Sequence, residues 1–241
     1  MRAGKKPRLK EPKLISGVPD SGYVAKLVMD HLIKKLKADR IAEIYSYGFP
    51  PQVLIRSNGL ADLVKGELFC WKRGGQGPDL VLFTADTQPN SPDAAYGISD
   101  RVLRMAKSLG VEDVYTVGAF ITHTDVPKAR VFCTATEPNI LKKMEMLEIH
   151  TMNSGSITWM NGLIMGLAKI HGMKGIFISG ETPGQIADIP AAQAILNVLE
   201  KIFELRIETI SGEPLSHSAL EEREQVALTD DAKAVQTRYI S

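Results

Sequence analysis

The sequence predicts an α/β protein, a three-layer α/β/α sandwich built on a mostly parallel, mixed sheet. Three observations predict it. Short runs rich in Val, Ile, Phe and Tyr alternate along the chain with segments of helical periodicity, the order expected of strands joined by crossover helices. Two strand-like runs, 80–83 and 176–178, are continuously apolar instead of alternating, so the sheet they belong to is covered on both faces. The 241 residues are 44% hydrophobic and 24% charged, with 29 Lys and Arg against 28 Asp and Glu, a globular composition able to bury a sizeable core without metal or disulfide.

The elements follow in order. Pro19, Asp20, Ser21 and Gly22 form a turn cluster, after which Val24, Leu27, Val28, Leu32 and Leu36 recur at helical spacing with His31 on the same stripe. This predicts a helix over 22–38 with Ser21 as its N-cap. Strands are expected at 40–47, 68–71 and 79–85, each bounded by Gly, Pro or Asp. A helix over 98–109 is closed by Gly110. The runs 114–120 and 129–135 lie so close in the chain that they are expected to form a hairpin, which makes the sheet mixed. Helices at 137–148 and 158–171, a strand at 175–180 and a helix at 190–204 complete the pattern. Gly172 closes the second of these helices, and Asp188 and Pro190 supply the cap and N1 position of the last.

Charge divides the chain into three. Residues 1–13 carry six basic side chains against one acid, Glu11, and read as a basic, solvated arm. Residues 211–241 are acidic and poor in apolar residues and read as a tail, in which 217–228 is the stretch expected to form a helix if any part of it packs. The folded domain is expected at 14–210, and both ends are expected to be removable with little loss of stability.

Composition also bounds function. A formal net charge of +1 gives the chain no global attraction to nucleic acid or to an acidic membrane. No apolar run approaches the roughly 20 residues of a spanning helix, and the basic N-terminus has no apolar stretch behind it, so a cytoplasmic location is expected. Cys70 and Cys133 have apolar neighbours and no CxxC partner, which predicts buried, reduced thiols. The five histidines show no metal-binding spacing, so neither a metal nor a cofactor is expected.

In sheets of this kind, functional loops gather beyond the carboxyl ends of the strands. Three segments qualify: Asp86, Gln88 and Pro89; the stretch 118–125; and Gly180, Glu181, Thr182 and Gly184. A nucleophilic triad of Ser179, His123 and Asp125 has the right residue types, but no G-x-S-x-G elbow surrounds Ser179 and no spacing brings the three together, so no catalytic residue is assigned. The glycines at 74–77 and 180–184 lack the GxxxxGK[ST] pattern of a phosphate-binding loop.

Several ordered motifs nevertheless resemble one family. Residues 14–25 opening a helix, then Asp30 to Ile33, Pro50 and Pro51, 84–89, Tyr96 to Ser99, 180–184 and Pro190 to Ala192 are similar to the archaeal homologues of the second eukaryotic proteasome-assembly chaperone. The resemblance spans about 14–208. It implies a phosphorylase/hydrolase-like α/β/α domain without a catalytic set, which self-associates, as a ring in one form of it, and binds proteasome α-subunits or another assembly chaperone. Members dock through a terminal hydrophobic-Tyr-any motif. Here the last residues are Arg238, Tyr239, Ile240 and Ser241, so the tyrosine stands one place early and an arginine precedes it. Docking by Tyr239, Ile240 and Ser241 alone is therefore expected to be weak. Two functions stay open on the sequence: a non-enzymatic, homo-oligomeric chaperone or adaptor, and a small-molecule hydrolase or ligase acting on an anionic or nucleotide-like substrate at the loops of Asp86, His123 and Glu181.

Overall fold

The computed structural model describes residues 2–3, 6–56, 58–122, 128–147, 149–184 and 186–210. The described residues divide into two units, those up to Pro51 with Val64–Ile210, and Gln52–Leu63. His123, Asp125 and the whole segment 211–241, with Tyr239, Ile240 and Ser241, lie outside the described residues.

In the first unit the strands are β1 (Arg2–Ala3), β2 (Lys13–Ser16) and β3 (Asp39–Ile44). After β4 (Val53–Ile55) and β5 (Ala61–Leu63), an antiparallel hairpin that belongs to the second unit, come β6 (Gly66–Trp71), β7 (Leu80–Ala85), β8 (Asp113–Ile121), β9 (Val131–Ala135), β10 (His150–Thr151) and β11 (Lys174–Thr182). The nine-stranded sheet runs β1-β3-β6-β7-β2-β8-β11-β9-β10. Its centre, β7-β2-β8-β11, is parallel, and the antiparallel pairings lie on either side of that centre.

Five helices cover it: α1 (Val24–Leu36), α2 (Pro92–Ser108), α3 (Pro138–Glu145), α4 (Trp159–Ile170) and α5 (Ile189–Phe203). α1 and α5 pack together over one face, and α2 and α4 over the other. This is the α/β/α sandwich that the strand and helix alternation predicts. All six residues of β7 are buried, as two-sided cover requires.

Four details depart from the sequence expectation, each for a physical reason. The runs 114–120 and 129–135 do not form a hairpin: β11 lies between them, parallel to β8 and antiparallel to β9. α2 begins at Pro92, six residues before the expected start, because the Ser91 hydroxyl accepts from the Ala94 amide and Pro92 occupies the first turn. The first helix is preceded by a 3-10 turn at Ser21–Tyr23, and Asp20 takes the capping role expected of Ser21, its Oδ1 accepting from the Ala25 amide at 3.0 Å. The basic N-terminal segment enters the sheet, since Arg2–Ala3 pairs with β3 and Lys13 begins β2.

Candidate functional site

Two adjacent strands at the centre of the sheet send the chain in opposite directions. β2 leads through α1 to β3 and β6, on one side, whereas β8 leads to β9 and β11, on the other. The loops beyond their carboxyl ends therefore part and leave a crevice, the topological switch point at which open α/β sheets hold their ligands. A cavity of about 320 Å³ occupies this position, between the turn after β2, the end of β8, the segment 152–158 and the start of α4.

Its walls are fixed by side chains far apart in sequence. The Asn161 amide group, on α4, clamps Val18 on both sides: Nδ2 donates to the Val18 carbonyl at 3.0 Å and Oδ1 accepts from the Val18 amide at 2.9 Å. Gln88 makes a second brace, donating from Nε2 to the Pro19 carbonyl at 2.9 Å while its Oε1 accepts from the Met160 amide at 3.4 Å. Gly118, on β8, is bare by necessity. A Cβ there would stand 2.8 Å from the Phe177 ring and 3.4 Å from Asp20 Oδ2. On the far side Phe120 stacks on Phe132 with ring centroids 4.3 Å apart.

Asp20 is the ionisable residue of this lining. Its Oδ1 caps α1, but its Oδ2 is buried and has no hydrogen-bond partner among the described residues. Burial pushes its carboxyl up to about 7, against the opposing pull of the backbone amides of Ala25, Ala119 and Asp20 itself.

The residues singled out from sequence are placed as follows. Gln88 braces the cavity wall, and Pro89 beside it is buried. Asp86 exchanges two backbone-directed hydrogen bonds with Lys65, its Oδ2 accepting from the Lys65 amide and its own amide donating to the Lys65 carbonyl, both at 3.0 Å. Glu181 is 1% exposed and receives a two-pronged contact from Arg130, Nε to Oε2 at 2.8 Å and Nη2 to Oε1 at 2.7 Å. That guanidinium, helped by the Arg130 amide and Thr122, holds the Glu181 carboxyl below the usual carboxylate range despite its burial. Thr182 Oγ1 accepts from the Gly184 amide at 3.1 Å, and Gly184 has φ +80°. Gly180 lies against α5, where a Cβ would meet the Ala191 carbonyl oxygen at 2.6 Å.

β7, which carries Asp86 at its end, is separated from β11, which carries Glu181, by β2 and β8, a lateral distance of roughly 14 Å. Ser179 is buried in the sheet, its hydroxyl donating to the Phe132 carbonyl at 3.3 Å. Both cysteines are buried and free, and burial pushes the Cys133 thiol up to about 11. Among the described residues, no cluster of His, Cys, Asp and Glu could hold a metal ion, and no helix is long and apolar enough to cross a membrane.

A sandwich with this strand order, a central switch-point cavity and braced strand-end loops defines the class, and the chain belongs to the PAC2 family, which it matches over residues 14–228. Among individual proteins, the crystal structure of Pyrococcus furiosus PbaB, described as an archaeal proteasome activator, aligns with a TM-score of 0.82 and 31% identity over 97% of both chains. P. furiosus PbaA, an archaeal homologue of proteasome-assembly chaperone, shares the fold with a TM-score of 0.73 and 24% identity, covering 96% of this chain and 92% of that one. A protein of Methanocaldococcus jannaschii without an assigned function is 30% identical over 200 residues, 83% of this chain and 76% of its own.

Proposed function

We propose that the protein is a non-enzymatic, homo-oligomeric adaptor or assembly chaperone of the proteasome, acting in the cytoplasm on proteasome α-subunits or on a partner chaperone. The observation that carries this reading is the end-to-end likeness to PbaB, at an identity high enough to speak for more than the fold. The surface supports it. The outward side of α4 keeps Trp159, Leu163, Leu167 and Ile170 only partly covered or exposed, at helical spacing, and Ile170 is 79% exposed. A second copy of the chain is the partner we assign to that stripe. The strand-end residues Asp86, Gln88, Pro89, Gly180, Glu181, Thr182 and Gly184 act as braces of the loops that shape the partner-facing end of the sheet.

Binding of the full-length protein to isolated archaeal proteasome core particles tests the reading, alongside a variant lacking Tyr239 to Ser241. We expect micromolar binding that survives the deletion, because the terminal tyrosine is displaced by one residue, roughly 3.5 Å of extended chain, from the family's docking motif. Absence of binding by both proteins sinks the adaptor reading. Binding lost on deletion places the contact on the tail instead of the domain.

A further inference from the structure

We infer that the outer face of the hairpin β4–β5 is a docking surface for the α4 stripe of a second copy of the chain. The inference rests on the proposed self-association and names the other half of its contact. The hairpin is closed at Gly59, φ +78°, where the Arg56 amide donates to the Leu60 carbonyl at 2.9 Å. Its register sets Val53 opposite Leu63 and Ile55 opposite Ala61, and strand alternation puts these four on one face, with Leu54 and Asp62 on the other. The two faces meet different surroundings. Leu54 is buried, whereas Val53, Ile55 and Leu63 are 53%, 63% and 58% exposed, and Leu60 beside them is 66% exposed. A two-stranded hairpin is at best marginally stable by itself, and a contiguous apolar patch on so small a unit marks an interaction surface.

Charge, shape and area choose the occupant. The two charged residues of the segment 52–63, Arg56 and Asp62, pair with each other at 3.3 Å, and Asp62 lies on the opposite face. The outer face is therefore uncharged and calls for an uncharged, apolar counterpart. On α4 the one charged residue is Lys169, and the stripe of Trp159, Leu163, Leu167 and Ile170 is aliphatic and aromatic throughout. A two-stranded ribbon receives such a stripe as a sheet layer receives a helix. Area decides between this pairing and contact of like with like. A stable interface takes roughly 800 Å² from each partner, more than the four partly covered side chains of one patch supply. Stripe-on-stripe contact leaves the hairpin of each copy in water, whereas hairpin-on-stripe contact lets each copy bury both of its patches. The same pairing serves a dimer, in which two copies exchange the contact, and a ring, in which it runs head to tail.

The test is complementation between two variants of the full-length protein, one with Ile55→Glu and Leu63→Glu on the hairpin, the other with Leu163→Glu and Ile170→Glu on α4. Light scattering gives the mass of each alone and of the two mixed in equal amounts. We expect each variant to lose self-association and to show the chain mass of 26.4 kDa. The mixture should recover a species of twice that mass, since the intact hairpin of the α4 variant meets the intact stripe of the hairpin variant. An unmodified protein that is itself monomeric overturns the proposed self-association and this inference with it. An oligomer that survives either pair of substitutions leaves self-association standing and overturns the inference alone. Two monomeric variants whose mixture stays monomeric overturn it as well, because that is the result of hairpin meeting hairpin and stripe meeting stripe. Should glutamate unfold the hairpin variant, judged by circular dichroism, Ile55→Ser with Leu63→Ser takes its place in the same measurements.

Discussion

Two carboxylates show how differently one fold can treat the same chemical group. Glu181 is buried against a guanidinium and is held ionised, whereas Asp20 is buried beside a glycine and an aromatic ring and is held near neutrality. Their contributions to stability therefore have opposite pH dependence. The Glu181 contribution is present above the ordinary glutamate range and is lost as pH falls below it. For Asp20 the folded protein binds its proton more tightly than the unfolded chain does between about pH 4 and 7, so stability falls as pH rises through that window. We predict that Glu181→Gln lowers stability at pH 8 by about 1–2 kcal/mol, a modest figure because Arg130 is half in solvent. Asp20→Asn should raise it, with an upper bound of about 4 kcal/mol. Both differences should shrink toward pH 4 in thermal unfolding monitored by circular dichroism. A destabilised Asp20→Asn at pH 8 would show that the backbone amides of Ala25 and Ala119 favour the ionised carboxylate more than burial disfavours it. At this scale the sequence was half legible. The motifs drew attention to Glu181 and Gln88, but Asp20 read as one member of a turn, since what isolates it are Gly118 and Asn161, about a hundred or more residues away.

Among the elements, β11 bears the greatest packing demand. Gly175 and Gly180 point to opposite faces, and each receives a helix backbone: the Met165 carbonyl of α4 on one side and the Ala191 carbonyl of α5 on the other. Neither site has room for a methyl group, and the obstructing atoms are main chain that cannot rotate away. Gly180→Ala should therefore cost about 2–3 kcal/mol and lift α5 from the sheet, whereas Gly97→Ala, in open space on α2, should be neutral or slightly stabilising. Urea unfolding of the pair checks this, and equal stability of the two variants would refute the close-packing account. The periodicity located all five helices and most strands. It placed the start of α2 too late because Gly97 interrupts the apolar pattern, although the Ser91 and Pro92 signal was present. It could not give the order of strands: β8 and β9 are near neighbours in sequence, and only the long-range pairing of β11 with both of them excludes the hairpin.

At the scale of the molecule, the self-association expected from the apolar helices 158–171 and 190–204 divides unequally between them. α5 buries most of its apolar residues within the chain, leaving Ile189 and Ile202 partly covered, and turns Gln193, Asn197 and Lys201 outward, with Gln193 Nε2 donating to Asn197 Oδ1 at 2.8 Å. α4 is the one of the two that carries large exposed apolar side chains, Trp159 and Ile170. Light scattering should therefore give a multiple of the 26.4 kDa chain mass, and Leu163→Glu combined with Ile170→Glu should reduce it to the monomer. A monomeric mass for the unmodified protein at micromolar concentration contradicts the homo-oligomeric part of the proposed function, and an unchanged oligomer in the double variant moves the interface off α4. The sandwich and the central position of the loops were readable from composition and alternation. The cavity was not, because it belongs to the strand order and not to any one segment.

The position of β11 also bears on how the chain assembles as it is made. β9 and β10 pair with each other, but their attachment to the rest of the sheet runs through β11, which is synthesised last. Until residue 182 has left the ribosome β9 and β10 have no strand of the main sheet to join, and α3, which packs on them, shares that wait. A chain broken off before residue 174 thus loses more than its final strand and helix: three earlier elements, fully translated, are left with exposed strand edges and no sheet to complete, a state prone to association with other chains.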